Sequence, residues 1–264
     1  MRRGWLAVPA VVAATVLAGC GSSPGSGSGA GGAGARPPGG LSGTVTVFAA
    51  ASLTESFGTL GRQFEAAHPG VTVRFDFAAS SALAESIAQG APADVFASAS
   101  TKNMDSVVRS GAASGPTTFA KNAVEIAVPP ANPGGVTSLA DLAKPGLKIA
   151  LCQPQAPCGA TAQQVFDNAK IAVKPVTLGA DVKAVLAAVQ LGEVDAGVVY
   201  RTDVRAAGAK VTGIGIPAEQ NASTSYPIAA LTRAPNAAAA RAFVDYVLSA
   251  AGTKVLTEAG FAKP

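Results

Sequence analysis

Histidine, charged side chains and aromatic side chains are all scarce in this sequence. His68 is the only histidine among 264 residues, and charged and aromatic residues make up 14% and 5% of the chain. A single histidine excludes a histidine-rich metal site, and any histidine-dependent catalysis would have to use His68. The apolar content of 48% excludes a chain that is disordered as a whole, and the length allows one large domain or two lobes.

Motifs typical of enzymes are also missing from residues 41–264. This stretch has no Gly-x-Gly-x-x-Gly or Walker-type loop, and its acidic residues are scattered without an Asp-x-Asp motif. A hydrolase would need a nucleophile beside a base, and His68 lies next to Pro69 at the end of a predicted helix. We therefore predict a binding protein rather than an enzyme, with a secreted hydrolase as the alternative from another class.

The first forty residues carry export signals rather than a folded core. Two arginines precede an apolar run of about 14 residues, which is shorter than the ~20 residues that a membrane-spanning helix needs. This pattern predicts a signal peptide over residues 1–19. The run ends in Leu-Ala-Gly-Cys, which resembles a lipobox, so we expect a lipid on Cys20; a free cysteine at an ordinary cleavage site is the alternative. Residues 20–40, rich in glycine, serine and proline, are predicted to hold this cysteine and a flexible tether.

The net charge of +4 would suit a nucleic-acid-binding protein, but residues 41–264 do not support that function. Without Arg2, Arg3 and Arg36, residues 41–264 hold 17 basic and 16 acidic residues, a net charge of +1. No cluster of lysine and arginine occurs there, and no basic residues alternate with aromatic ones. We therefore expect no nucleic-acid partner.

Strand-like and helix-like patterns alternate along residues 41–264. β-branched and apolar runs predict buried strands over 44–49, 71–77, 94–97, 123–128, 148–151 and 196–200. Helical apolar spacing and glycine or proline stops predict helices over 52–67, 82–89, 102–110, 138–142, 161–170, 181–190, 237–248 and 252–259. This order predicts an α/β fold with mostly parallel sheets and helices on both faces.

In such sheets, ligands bind beyond the carboxyl ends of the strands, where helices begin. Unpaired N–H groups and the helix dipole favour anions at these helix starts. Four predicted starts consist of small or polar residues, and they lie at Ser52, at Ser80 and Ser81, at Cys158–Thr161 and at Asp181. Tyr200, at the end of an apolar strand, could add a hydroxyl.

Each of these residues also has an ordinary structural explanation. Ser52 and Glu55 match a capping box, Asp181 is a typical N-cap, and Tyr200 could be a core tyrosine with an exposed tip. As a set, however, they supply neutral donors and no lysine or arginine. Such a set suits a fully deprotonated oxyanion, because a protonated oxyanion needs an acceptor for its O–H.

Four short stretches connect the chain to a known family. They are Val-Phe-Ala-Ala-Ala-Ser-Leu-Thr over 47–54, Ser-Ser-Ala-Leu-Ala over 80–84, Gly-Ala-Pro-Ala-Asp-Val-Phe over 90–96 and Gly-Val-Val-Tyr over 197–200. With these motifs in this order, residues 43–264 resemble the molybdate-binding proteins of ABC-type uptake systems, the ModA family. The resemblance implies a class II periplasmic-binding-protein fold, in which two α/β lobes, each a mostly parallel sheet flanked by helices, are joined by a two-strand hinge.

The resemblance also implies a set of ligand-binding residues. Two serine hydroxyls and one tyrosine fall on Ser52, Ser80 and Tyr200, with Ser81 as the alternative to Ser80. Backbone N–H donors fall on Cys158, where the family often has a small residue such as alanine, and on Val182. The implied ligand is molybdate or tungstate, with sulfate or another tetrahedral oxyanion as the alternative. No cofactor and no free metal cation are expected.

Two cysteines remain after Cys20 is assigned to a lipid. Cys152 and Cys158 are separated by five residues in an exported protein, which favours a disulfide that would restrain the loop presenting the Cys158 N–H. A redox or metal pair is the alternative, although Cys-x-x-Cys spacing and histidine partners are missing.

The predicted organisation combines a membrane anchor with two lobes. Lobe 1 is predicted over residues 41–121 and 228–264, and lobe 2 over residues 122–227, with the chain returning to lobe 1 as the family implies. We expect an extracytoplasmic monomer, held at the cell membrane by the lipid on Cys20. Its expected partners are a permease and, through it, a cytoplasmic ATPase.

Overall fold

The computed structural model describes residues 40–264. The predicted signal peptide over residues 1–19, the lipid site at Cys20 and the tether up to residue 39 lie outside the described residues. Within residues 40–264, no helix combines the length and the apolar character needed to cross a bilayer.

The strands are short, apolar and mostly buried, as expected for a sheet covered by helices. The described residues form nine of them: β1 (Gly43–Ala50), β2 (Val71–Ala78), β3 (Val95–Ala97), β4 (Thr117–Val128), β5 (Ile149–Cys152), β6 (Thr177–Gly179), β7 (Ala196–Tyr200), β8 (Thr212–Ile214) and β9 (Ser223–Ala230). Their order in the sheet is β2-β1-β3-β9-β4-β7-β5-β6, and β8 pairs with β4.

The strand pairing is parallel at both ends of this order and antiparallel in the middle. β1 pairs in parallel with β2 and β3, and β5 pairs in parallel with β6 and β7. The pairs β3–β9, β9–β4 and β4–β7 are antiparallel. The predicted α/β class is confirmed.

Amphipathic helices connect the strands. In α1 the side chains of Phe57, Leu60 and Phe64 are fully buried, as their helical spacing predicts. The α-helices of the described residues are α1 (Thr54–Ala67), α2 (Ser80–Ala88), α3 (Thr101–Arg109), α4 (Pro157–Ala169), α5 (Val182–Gln190), α6 (Arg201–Ala207), α7 (Ala237–Leu248) and α8 (Ala250–Glu258). Three 3-10 helices occur in the described residues: Ala51–Leu53 between β1 and α1, Leu139–Ala143 before β5 and Gly208–Lys210 after α6.

The buried apolar side chains form separate clusters on either side of β4 and β9. One large cluster uses residues between 124 and 222, together with Ala51 and Ala79. Two others use residues from 45 to 120 and from 226 to 261. β4 pairs with β9 over Thr117–Ala123 and with β7 over Val124–Ala127, so β4 passes from one set of clusters to the other.

Several element boundaries differ from the sequence-based predictions. α2 begins at Ser80 rather than residue 82, α4 begins at Pro157 rather than residue 161, and β4 begins at Thr117 rather than residue 123. The elements β6, β8 and α6 were not predicted. Proline at the first position of α4 is compatible with a helix start, because the missing N–H would have no intrahelical partner there.

Candidate oxyanion site

A small cavity lies beyond the carboxyl ends of β1 and β2, with β5 and β7 on its other side. Its volume is about 10 Å³, enough for about one water molecule. Its lining includes all five sequence-predicted site residues and not Ser81: it is formed by Ala50, Ala51, Ser52, Ala78, Ala79, Ser80, Ala99, Pro157, Cys158, Asp181, Val182 and Tyr200. A wider cleft between Ile87 and Pro235 is lined mainly by alanine, glycine and proline and carries no comparable set of donors.

Ser52 lies in the 3-10 helix after β1 and does not cap α1. The N-cap of α1 is Leu53, which makes no side-chain capping bond, so the capping-box interpretation is wrong. The buried Ser52 Oγ instead lies 2.8 Å from the Tyr226 hydroxyl. Glu55, the other half of the pattern, is also occupied elsewhere, since its carboxylate binds Lys183.

Ser80 is the first residue of α2 and is fully buried. Its Oγ accepts a hydrogen bond of 2.9 Å from the N–H of Ala99, the residue two positions after β3. The Ser80 hydroxyl hydrogen has no acceptor among the described residues and is free to bind a ligand in the cavity. Ser81 is partly exposed and lies outside the lining, so of the two serines only Ser80 faces the cavity.

Tyr200 ends β7 with its side chain buried. No described residue forms a hydrogen bond with its hydroxyl. Burial and then the neighbouring Tyr226 raise the pKa of Tyr200 well above its usual value, so the phenol keeps its proton. A buried hydroxyl without a partner is unfavourable, and an acceptor in the cavity would satisfy it.

The N–H of Cys158 lies in the first turn of α4. The first intrahelical bond is donated by Ala160 to the carbonyl of Ala156, at 3.0 Å, so Cys158 N–H precedes the helical ladder. A disulfide joins Cys158 to Cys152 at the end of β5, with Cα atoms 5.8 Å apart. Gly159 allows a close approach here, because a Cβ at this position would lie 2.2 Å from the Gln153 carbonyl oxygen.

The N–H of Val182 is presented by the capped start of α5. Asp181 Oδ1 accepts from the N–H groups of Lys183 at 2.8 Å and Ala184 at 3.1 Å, as predicted for an N-cap. The N–H of Val185 bonds to the Asp181 carbonyl at 3.4 Å. This arrangement leaves the Val182 N–H at the helix start available to a ligand.

The cavity lining contains no lysine or arginine among the described residues. The nearest cation along the chain, Lys183, pairs with Glu55 at 2.8 Å and with the buried Asp203 at 2.9 Å. Burial raises the pKa of Asp203 to about 6, against the opposing effect of Lys183. Burial lowers and the two carboxylates raise the pKa of Lys183, and the net shift is upward, so this side chain stays charged.

Metal chemistry finds no support at this site. Within residues 40–264 no three histidine, cysteine or carboxylate side chains are grouped closely enough to hold a metal ion. The arrangement can instead receive an anion, through three hydroxyls and two N–H groups at helix starts.

Sequence reasoning missed the residues that support these donors. Tyr226 on β9 forms a hydrogen bond with Ser52 over a separation of 174 residues, and Asn122 on β4 contacts Tyr226 over a separation of 104 residues. The Glu55–Lys183 contact spans 128 residues. Local patterns carry no signal for such distant pairs.

The chain matches known proteins over most of its length. A sequence model for the family described as bacterial extracellular solute-binding protein matches residues 45–262. The molybdate-binding protein ModA of Mycobacterium tuberculosis H37Rv is 44% identical over 259 residues, which cover 96% of this chain and 97% of that protein. The molybdate-binding protein ModA of Escherichia coli K12 is 33% identical, with 83% of this chain and 89% of that protein covered.

A solved structure supports the fold independently. The periplasmic molybdate-binding protein of Azotobacter vinelandii superposes with a TM-score of 0.75, covering 83% of this chain and 99% of that chain. Its identity of 21% makes it evidence for the fold alone. The fold, the full-length similarity and the match of the family model agree, and the chain belongs to the bacterial extracellular solute-binding proteins and, among them, to the ModA family.

Proposed function

We propose that this protein captures molybdate, and also tungstate, outside the cytoplasm and delivers it to the permease of an ABC transporter. One observation carries the proposal: Ser52, Ser80, Cys158, Val182 and Tyr200, which come from distant parts of the chain, all line one small cavity. The 44% identity to a molybdate-binding protein over nearly the whole chain supports the named ligand.

The chemistry of the donors suits a dianion without any contribution from a cationic side chain. The starts of α2, α4 and α5 direct unpaired N–H groups and the positive ends of their dipoles toward the cavity. Hydrogen bonds to a charged partner contribute about 1.5–3 kcal/mol each, net of the bonds to water that they replace, so several of them together can hold a small anion. We propose a binder rather than an enzyme, because Asp181, the one carboxylate in the described lining, already caps the start of α5.

Capture requires the cavity to open, and we propose that the two lobes predicted from the sequence move apart about β4 and β9. In this division Ser52 and Ser80 belong to lobe 1. Cys158, Val182 and Tyr200 belong to lobe 2. The Glu55–Lys183 ion pair joins the same two lobes at 2.8 Å beside the cavity. An anion bound between the lobes would favour the closed arrangement, since it contacts donors of both.

Delivery to a permease requires the binding protein to be held close to the membrane. We propose that a lipid on Cys20 anchors the chain and that residues 21–40 tether the monomeric body near the permease, whose cytoplasmic ATPase drives uptake. The export-type N-terminus and the membership of an extracellular solute-binding family support this location.

Isothermal titration calorimetry of the purified chain with molybdate, tungstate, sulfate and phosphate tests the proposal. We expect tight binding of molybdate and tungstate with one site per chain, and little or no heat with phosphate at pH 7.5. Tight binding of sulfate without heat from molybdate would replace the ligand by sulfate. Absence of binding to all four anions would contradict an oxyanion-binding function.

A further inference from the structure

Asp203 is a fully buried carboxylate that lies outside the cavity lining and contacts two elements that form it. It is the third residue of α6. Its Oδ2 accepts a hydrogen bond of 3.1 Å from the backbone N–H of Tyr200, and its Oδ1 lies 2.9 Å from Nζ of Lys183. This one side chain therefore connects the end of β7 with the start of α5.

Both contacts of Asp203 hold a residue at or beside a proposed ligand donor. Tyr200 carries one of the hydroxyls in the cavity, and Asp203 fixes the backbone of the same residue. Lys183 is the second residue of α5 and directly follows Val182, whose N–H is the proposed donor there. Two of the five proposed donors are thus linked to the same buried carboxylate.

The contacts are strong because the carboxylate is charged and shielded from water. Burial raises the pKa of Asp203 to about 6 and Lys183 opposes the rise, so the carboxylate is ionised at pH 7.5. A buried charge without a partner is unfavourable, which ties Lys183 to Asp203. Lys183 also lies 2.8 Å from Glu55 on α1, so the ammonium group that Asp203 holds is the one that joins α5 to α1.

We propose that Asp203 is a positioning residue for anion binding, because it holds Tyr200, the start of α5 and the Lys183 ammonium group in their binding arrangement before the anion arrives. The inference rests on the proposed function. Groups that are already held lose less conformational freedom when a ligand binds, so the affinity is higher. The competing explanation is that Asp203 only stabilises the start of α6.

Asp203→Asn tests the proposal, since it keeps the shape of the side chain and removes its charge. The amide oxygen can accept from Tyr200 or from Lys183, and the amide nitrogen, which only donates, then faces the other donor. One of the two contacts is lost in either orientation. We expect this variant to melt at a lower temperature and to bind molybdate about three- to tenfold more weakly in calorimetry at pH 7.5.

Asp141→Asn is the matched control, because Asp141 has the same kind of contacts away from the cavity. It is the third residue of the 3-10 helix Leu139–Ala143 and is buried. Its Oδ2 accepts from the N–H of Ser138 at 2.9 Å, and its Oδ1 lies 2.6 Å from Nζ of Lys144. We expect the control to lose stability as Asp203→Asn does and to keep the wild-type Kd for molybdate.

Tyrosine NMR adds a readout that a loss of stability alone does not move. The chain has three tyrosines, Tyr200, Tyr226 and Tyr246, so labelling the ring carbon that bears the hydroxyl with ¹³C gives three signals, which single substitutions by phenylalanine assign. Without ligand, Asp203→Asn should shift or broaden the Tyr200 signal. Asp141→Asn should leave it unchanged, and Tyr246 on α7 is the internal reference.

The double variant Asp203→Asn/Lys183→Met carries the test where Asp203→Asn does not fold. It replaces the buried ion pair by neutral side chains, a change that proteins often tolerate. Its molybdate affinity should fall by more than the roughly twofold loss expected when Glu55 alone is released from Lys183.

Three results would overturn the inference and leave Asp203 as a helix cap. They are a loss no larger than twofold in the variant that folds, an equal loss of affinity in Asp141→Asn, and an unmoved Tyr200 signal. A wild-type protein that fails to bind molybdate would contradict the proposed function instead, so the two failures are distinguishable.

Discussion

The two sides of the cavity present their donors in different ways. The first wall, Ser52 and Ser80, uses side-chain hydroxyls that are each held by a buried hydrogen bond from elsewhere in the chain. The second wall, Cys158 and Val182, uses backbone N–H groups at helix starts, held by a disulfide and by the Asp181 cap. A substitution can remove a side-chain hydroxyl. A backbone N–H group remains after substitution, and it can only be shifted by changing the residues that hold it in place.

This difference determines which changes should harm binding most. On the first wall, each substitution removes one donor and leaves the others in place. On the second wall, a substitution that shifts the start of α4 or α5 moves every N–H group of that helix turn together. The largest effects are therefore expected on the second wall, although the donors proposed there are backbone N–H groups rather than side chains.

Gly159→Ala should have the largest effect on binding. Its Cβ would lie 2.2 Å from the Gln153 oxygen and 2.8 Å from the Cys152 oxygen, so the start of α4 must move away from the loop. A displacement of about 1 Å can cost roughly 100-fold at a preorganised site, and we expect at least that loss in molybdate affinity. Gly58→Ala in α1 is the control, since its Cβ would meet only the Arg62 side chain at 3.7 Å. Calorimetry of both variants makes the test; a full-affinity Gly159→Ala protein would show that the α4 start does not bind the anion.

Ser52→Ala and Ser80→Ala should each weaken molybdate binding by about 10- to 150-fold, the equivalent of about 1.5–3 kcal/mol for a hydrogen bond to a charged group. Ser80→Ala also leaves the buried Ala99 N–H without its acceptor, so we expect a lower melting temperature for this variant. Ser81→Ala is the matched control and should bind normally, because Ser81 lies outside the lining. If Ser81→Ala weakened binding and Ser80→Ala did not, the serine assignment would be reversed.

Loss of the disulfide should disturb the second wall less than Gly159→Ala does. Replacing both Cys152 and Cys158 by serine removes the bond across a sequence separation of six, while the N–H of residue 158 remains. We expect a roughly three- to tenfold loss of affinity, because the loop must now be ordered when the anion binds. Free-thiol titration of the wild-type body should find no reactive cysteine without reductant. Two titratable thiols in the folded wild type, or an unchanged Kd in the double variant, would remove the disulfide from the binding mechanism.

The two walls also differ in how far the sequence alone could predict them. Helix starts and strand ends are local patterns, so the sequence located Ser80, Asp181 and Tyr200 from their neighbours. The capping-box interpretation of Ser52 was wrong because the partner that competes for its hydroxyl, Tyr226, is 174 residues away. A local motif describes what a side chain can do nearby, and tertiary contacts decide what it does.

Element boundaries were missed for a related reason. β4 extends back to Thr117 because it pairs with β9 over Thr117–Ala123, and neither the polar Lys121 nor Asn122 resembles a strand residue when taken locally. Asn122 is buried there because Thr202, Ala123 and Tyr226 satisfy its amide. Long-range pairing thus overrides local strand propensity where β4 passes from one set of core clusters to the other.

The ion pair between the walls should have the smallest effect. Glu55 on α1 and Lys183 on α5 join the two sides at 2.8 Å, but their side chains are 52% and 25% exposed. Exposed pairs contribute about 0.2–1 kcal/mol, so Glu55→Gln should weaken molybdate binding by only about twofold at low salt. The difference should shrink further at high salt, because screening already weakens the pair. Lys183 keeps Asp203 as a partner in this variant, so folding should be unaffected.

Glu258→Gln gives the matched control for the ion pair. Its partner Lys254 lies on the same helix, α8, at 3.9 Å, so this pair does not connect the walls. Calorimetry at two salt concentrations should therefore show a salt-dependent difference from wild type for Glu55→Gln and none for Glu258→Gln. Equal behaviour of the two variants would mean that the Glu55–Lys183 contact does not help to hold the walls together, and that closure depends on the donors at the cavity alone.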